Sequence, residues 1–188
     1  MLSQTRRGFL LTGSAAILSA CAARTGRLQR YPFSLGVASG EPAPDGFVIW
    51  TRLAPDPLGG GGMPQVPVEV GWVVAEDEGF RRVVREGKAR ATPGWAHSVH
   101  VELTGLEPDR WYFYRFRLPE AESPIGRART TPLPGAGERL RFVFASCQRW
   151  EVGYYSAWRH AARAEPDLVL HLGDYIYEYQ TQSGQNYI

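Results

Sequence analysis

Cysteine is scarce in this 188-residue chain: Cys21 and Cys147 are the only two, so no disulfide framework is available to hold a fold. Charge of one sign is scarce as well. The 21 basic residues stand against 19 acidic ones, and the surplus of two is Arg6 and Arg7 at the amino terminus. No basic stripe with interleaved aromatics occurs, so binding of nucleic acid through phosphate neutralisation is not expected. Arg81, Arg82, Arg85, Lys88 and Arg90 cluster, but Glu76, Asp77, Glu78 and Glu86 flank them, which reads as a solvated surface. Long apolar runs are also missing. The uncharged stretch from Gly8 to Ala20 falls short of the about 20 residues that a membrane-spanning helix requires.

That short stretch follows Thr5-Arg6-Arg7-Gly8-Phe9-Leu10-Leu11 and resembles a twin-arginine export signal, with Arg6 and Arg7 as its recognition pair. The rival is an ordinary secretory signal that happens to contain two arginines. Leu18-Ser19-Ala20-Cys21 resembles a bacterial lipobox, in which Cys21 becomes the lipid-modified first residue; cleavage at Ala20-Cys21-Ala22 as an Ala-x-Ala site is the alternative. The expected destination is periplasmic or extracellular, with a lipid anchor if Cys21 is acylated. Export by the twin-arginine machinery carries proteins across the membrane already folded. With Cys21 lipidated, Cys147 is the one remaining thiol, and a free thiol outside the cytoplasm is a liability unless buried or metal-bound.

From Tyr31 to Thr131 the chain consists of short apolar segments separated by turn residues. Strands are expected at Phe33 to Ala38, Gly46 to Arg52, Val66 to Ala75, Arg81 to Ala89, Ser98 to Leu103, Trp111 to Leu118 and Gly126 to Thr130. About 7 strands in about 100 residues is the pattern of an immunoglobulin-like sandwich. Glu41-Pro42-Ala43-Pro44-Asp45-Gly46 reads as a turn cluster and Gly59 to Gly62 as a flexible loop tip. The run from Leu103 to Tyr114 resembles the tyrosine corner of fibronectin type III sandwiches, with Tyr112 as the residue whose hydroxyl reaches back to the preceding loop. Trp111, Phe113 and Phe116 extend the aromatic set to both faces of that strand, so one face is expected to pack against the following segment. His97, His100 and His160 show no metal-ligand spacing, and surface or loop roles are expected for them.

Two later segments carry the chemistry. Leu140-Arg141-Phe142-Val143-Phe144-Ala145 ends in Ser146-Cys147-Gln148, and Leu168-Val169-Leu170-His171-Leu172 ends in Gly173-Asp174. Between them Gly153 to Ala164 places Tyr155, Trp158 and Ala162 at helical spacing and stops near Pro166. Strand, helix, strand is a βαβ unit, whose parallel strands put Cys147 and Asp174 on one sheet edge, where open α/β sheets bind ligands. A thiolate and a carboxylate at one sheet edge are anionic donors for a cation, and calcium takes oxygen donors alone. Taken singly, a cysteine after a strand reads as a small buried hydrophobe.

The pieces Phe144-Ala145-Ser146-Cys147-Gln148, Gly153-Tyr154-Tyr155 and His171-Leu172-Gly173-Asp174-Tyr175-Ile176-Tyr177-Glu178-Tyr179 resemble the start of the metallophosphatase domain of the alkaline phosphatase D (PhoD)-like family. Leu35-Gly36-Val37-Ala38-Ser39-Gly40-Glu41-Pro42 and Val48-Ile49-Trp50-Thr51-Arg52-Leu53 resemble that family's amino-terminal domain. The resemblance implies that Cys147, Asp174 and Tyr177 bind Fe³⁺, that Asp174 also bridges to Ca²⁺, and that the substrate is a phosphate ester. It implies a mixed fold: a fibronectin III-like β-sandwich (residues 31–131) followed by the first βαβ unit of an α/β metallophosphatase domain (140–188). An export signal with its lipobox-like end (1–21) and two linkers (22–30 and 132–139) complete the expected organisation. The family's later ligands do not follow Ile188, so the chain is expected to be the amino-terminal piece of a longer protein or the product of a truncated gene, and inactive alone. The competing class is a non-catalytic extracellular sandwich module.

Overall fold

The computed structural model describes residues 30–136, 139–150 and 153–177; Arg6, Arg7 and Cys21 lie outside the described residues. Ten strands and one α-helix follow in chain order: β1 (Val37–Ala43), β2 (Gly46–Arg52), β3 (Val68–Ala75), β4 (Val83–Ala91), β5 (Ser98–Leu103), β6 (Trp111–Leu118), β7 (Ala121–Glu122), β8 (Gly126–Arg129), β9 (Phe142–Ala145), α1 (Ser156–Arg163) and β10 (Leu168–His171). The first eight strands form two antiparallel sheets, β1-β2-β5 and β4-β3-β6 with β7 and β8 both on β6. Among the described residues no helix is long and apolar enough to cross a membrane.

Alternation decides which side chains fill the sandwich. On β2, Phe47, Ile49 and Thr51 point inward; on β6, Tyr112, Tyr114 and Phe116 do, and Val70, Val74, Val99 and Leu103 close the layer. Phe47 lies 6.1 Å from Tyr112 and 6.5 Å from Tyr114, and Tyr114 meets Phe116 edge-on at 6.4 Å, tilted and T-shaped contacts that suit the ring quadrupoles. The polar Thr51 is tolerated in this core because its Oγ1 donates to the carbonyl of Gly36 at 2.9 Å.

Several boundaries differ from the sequence expectation. Phe33 is buried but lies in a turn, whose close is marked by the N–H of Gly36 donating to the Phe33 carbonyl at 2.9 Å with Gly36 at φ 72°. The first strand therefore begins at Val37 and runs through Glu41 and Pro42, and the expected turn cluster shrinks to the step before Gly46. Proline is accommodated there because the strand is an edge with a register shift between Gly40 and Ala43. Arg81 and Arg82 are absent from β4: Asp77 accepts both of their backbone N–H groups, at 3.2 and 2.8 Å, and holds them in the preceding turn. The basic cluster is partly paired, Lys88 with Glu69 at 2.7 Å and Arg82 with Glu76 at 3.4 Å. The two-residue β7 is too short for any periodicity to announce it. His97 takes a loop role as expected, and within that loop it is buried, with Nε2 3.2 Å from the Val66 carbonyl.

Arg129 at the end of β8 joins the sandwich to the segment beyond it. Its guanidinium reaches Asp109 at 2.5 Å and Asp167 at 2.7 Å, while Asp167 also accepts the backbone N–H of Arg141 at 3.0 Å. That N–H and then the two arginine charges hold the Asp167 carboxyl below its usual range. Trp111, on the outer face of β6, lies under Arg127 at 4.3 Å and borders a cleft of about 480 Å³ shared with Pro166 to His171, so this outer aromatic faces the second segment across the cleft.

The tyrosine corner is present. The Tyr112 hydroxyl accepts the backbone N–H of Glu107 at 2.9 Å, and the buried Thr130 donates Oγ1–H to the Glu107 carbonyl at 2.7 Å, so two side chains satisfy both backbone polar groups of Glu107. Tyr112→Phe removes the acceptor and is expected to cost about 1 kcal/mol or somewhat more. A melting temperature equal to that of the parent chain in thermal denaturation would argue against this hydrogen bond as a stabilising contact.

Candidate metal centre

Strands β9 and β10 pair in parallel, with Phe142 opposite Leu168 and Ala145 opposite His171. Pairing continues past the last ladder residue. Leu172 N–H donates to the Ala145 carbonyl at 2.9 Å, Cys147 N–H to Gly173 at 3.4 Å and Gln148 N–H to Asp174 at 3.3 Å; Tyr177 N–H then returns to the Gln148 carbonyl at 3.1 Å. The two loops are thus stitched together by backbone, and Cys147, Asp174 and Tyr177 come to one place.

Their side chains meet on a single atom. Asp174 Oδ2 accepts the Tyr177 hydroxyl at 2.7 Å and the Cys147 thiol at 3.5 Å. Cys147 is exposed, which removes its reading as a small buried hydrophobe; Asp174 is exposed and Tyr177 half-buried. Backbone conformation adds to the picture. Cys147 has φ 56° and Asp174 φ 48°, with Gly173 at φ 108° between strand and aspartate. Left-handed backbone at a non-glycine residue is uncommon and concentrates at ligand clamps, and both strand ends carry one here.

The hydrogen bonds to Cys147 and then to Asp174 push the Tyr177 phenol well above its usual range, so without a cation the proton is held firmly on the ring oxygen. Among the described residues no three His, Cys, Asp or Glu side chains gather; the centre consists of two such groups and a phenol. An open pocket of about 410 Å³ borders Cys147 and Tyr177 and is lined further by Gln148, Arg149, Tyr155 and Trp158. The larger clefts, including one of about 640 Å³ beside Arg129 and Asp167, lie at the junction with the sandwich and touch none of the three donors.

His171 lies at the end of β10, its ring 4.6 Å from Tyr175 and 6.1 Å from Trp158, and its ring nitrogens have no hydrogen-bond partner among the described residues. His160 is exposed on α1 and His100 on β5. The helix begins three residues later than its spacing suggests, because Tyr154 and Tyr155 are both left-handed, at φ 51° and 53°. Sequence reasoning missed Gln148, whose backbone bridges both loops and whose Oε1 accepts the Trp158 indole N–H at 2.5 Å. Its place directly after Cys147 was the only signal.

The model of the PhoD-like phosphatase N-terminal domain matches residues 20–132, and that of the PhoD-like phosphatase matches residues 142–187. The chain belongs to the PhoD-like phosphatase family. It is 59% identical to alkaline phosphatase D of Bacillus subtilis (strain 168) over 150 residues, 79% of this chain and 26% of that protein. The solved structure of PhoD superposes with a TM-score of 0.79 at 57% identity, covering 82% of this chain and 30% of that one. The chain therefore spans about a quarter of the length of the curated relative it matches. This family membership accounts for the whole described architecture, a fibronectin III-like sandwich followed by the opening β9-α1-β10 unit of the phosphatase domain.

The geometry predicts a late-titrating phenol. In a spectrophotometric titration of the metal-free chain, the difference between parent and Tyr177→Phe should show a tyrosine that ionises above the ordinary value of about 10. A difference curve centred at or below that value would contradict the hydrogen bonds to Cys147 and Asp174.

Proposed function

We propose that this chain belongs to an exported, metal-dependent phosphoesterase of the alkaline phosphatase or phosphodiesterase type, in which Cys147, Asp174 and Tyr177 hold Fe³⁺ and Asp174 also reaches Ca²⁺. The observation that carries this reading is the convergence of a thiol and a phenol on one carboxylate oxygen. Both protons lie where a cation would take their place, and three anionic donors match a trivalent ion. The Asp174 carboxylate, an all-oxygen donor, also suits an oxygen-seeking ion such as Ca²⁺.

Bound iron and calcium would supply Lewis acidity toward a phosphate ester. The chain's own part is to place and release. Cys147 and Asp174 are set by their left-handed backbone at the ends of β9 and β10, and Tyr177 is set by its N–H on Gln148. Because the phenol proton must leave for the ion to bind, capture weakens as pH falls, by about tenfold per pH unit for each proton released. The pocket beside Cys147 and Tyr177 offers room for the alcohol portion of an ester. Arg6 and Arg7 would direct export through the twin-arginine machinery and Cys21 would carry a lipid, which places the enzyme outside the cytoplasmic membrane.

With only three donors on two strand ends, the 188-residue chain itself is proposed to turn over negligibly. In the whole protein with iron and calcium supplied, Cys147→Ala or Asp174→Ala should lower hydrolysis of a chromogenic phosphate ester by more than about 100-fold. Tyr177→Phe should abolish any visible phenolate-to-iron absorption with the far-ultraviolet circular dichroism unchanged. Undiminished hydrolysis in both alanine variants would sink the assignment, and a whole protein with no hydrolysis would favour a non-catalytic sandwich module.

A further inference from the structure

Trp158 on α1 touches both strand ends. Its indole N–H donates to the side chain of Gln148 at 2.5 Å, next to Cys147 at the end of β9. Its ring stacks on His171 at 6.1 Å with an interplanar angle of 30°, and His171 is the last residue of β10. His171 in turn packs on Tyr175 at 4.6 Å, between Asp174 and Tyr177 in the chain. Both ring nitrogens of His171 are buried without a hydrogen-bond partner among the described residues, so packing and not hydrogen bonding holds that ring.

Gln148 is the other half of the arrangement. Its N–H goes to the Asp174 carbonyl and its carbonyl receives the Tyr177 N–H, so the peptide bearing Gln148 fixes the backbone of two candidate ligands and is joined directly to the third. Only its side chain reaches outside the two loops, and there it meets Trp158. Backbone bonds already join the two loops to each other, and Trp158 is a group outside them that touches both strand ends and restrains their separation further.

We infer that Trp158, acting through Gln148, is a positioning residue for the metal centre: its N–H sets the Cys147 loop and its ring sets the Asp174 loop, so that one helix side chain fixes the gap between the donors. The inference rests on the reading of Cys147, Asp174 and Tyr177 as metal ligands, and it predicts a purpose for α1 beyond connecting two parallel strands.

Three substitutions in the 188-residue chain separate the contributions. Trp158→Phe keeps a ring against His171 and removes the N–H; Gln148→Met keeps the length and removes the acceptor; Gln148→Glu keeps an acceptor. In the metal-free chain, amide hydrogen exchange should quicken at Tyr177 and Gln148 in Trp158→Phe and Gln148→Met, with Gln148→Glu close to the parent and the amide of Ile49 in the sandwich unchanged throughout. In ferric titrations, iron affinity should fall about 10- to 100-fold in the first two variants, with the visible absorption shifted, and recover in Gln148→Glu. The Trp158→Phe, Gln148→Met double variant should be no worse than either single one, since both remove one contact.

Parental exchange at Tyr177 and parental iron affinity in both Trp158→Phe and Gln148→Met would overturn the positioning role while leaving the metal centre standing. If the parent chain takes up no ferric ion, the metal reading fails; quickened exchange in the variants would then still show the clamp as a feature of the fold. Should Trp158→Phe not fold, Gln148→Met against Gln148→Glu decides the matter alone.

Discussion

Everything chemical in this chain depends on the parallel pairing of β9 with β10. A parallel ladder brings the carboxyl ends of both strands to the same edge, and here the pairing is carried on by Leu172, Cys147 and Gln148 after the regular strands have ended. If β10 slipped by one residue against β9, Asp174 would no longer face Cys147, and the shared Oδ2 contact that defines the centre would be lost. The register is therefore a functional quantity, fixed by the short apolar strands β9 and β10.

The sandwich supplies what this small unit lacks. Its interior is a closed set of aromatic and β-branched side chains, and its last strand ends in Arg129, which reaches Asp167 immediately before β10. Asp167 in turn holds the backbone of Arg141 immediately before β9. One carboxylate thus ties the starts of both parallel strands to each other and to the sandwich, while at the opposite ends Gln148 and Trp158 tie the loops. The ladder is braced at both termini. Because the Asp167 carboxyl is held below its usual range, its charged form is the bound form: the bracing is present above the ordinary carboxylate range and is lost as pH falls through the depressed value.

Much of this was legible in the residues. Alternation on β2 and β6 announces the sandwich faces, and the Leu103 to Tyr114 run announces a corner that the structure closes on Glu107. The aliphatic runs that end in Cys147 and in Asp174 announce the parallel pair. What escaped was decided by tertiary context. Phe33 reads as a strand residue but plugs the sandwich from a turn made by its neighbours, and Pro42 reads as a breaker but survives in an edge strand at a bulge. The left-handed Tyr154 and Tyr155 delay a helix whose spacing alone starts it sooner. The Arg129 to Asp167 bridge carries no pattern at all, since it is a single contact between segments distant in the chain, and Gln148 is marked only by its place after Cys147.

The central claim is that a thiol, a phenol and a carboxylate on two paired strand ends form one ferric site. X-ray absorption at the iron edge, recorded on the 188-residue chain loaded with one equivalent of Fe³⁺, tests it most directly. The account predicts a first shell containing one sulfur neighbour together with oxygen neighbours, the sulfur vanishing in Cys147→Ser and the oxygen shell persisting. A shell of light atoms alone in the parent chain, or a sulfur signal that survives Cys147→Ser, would contradict it.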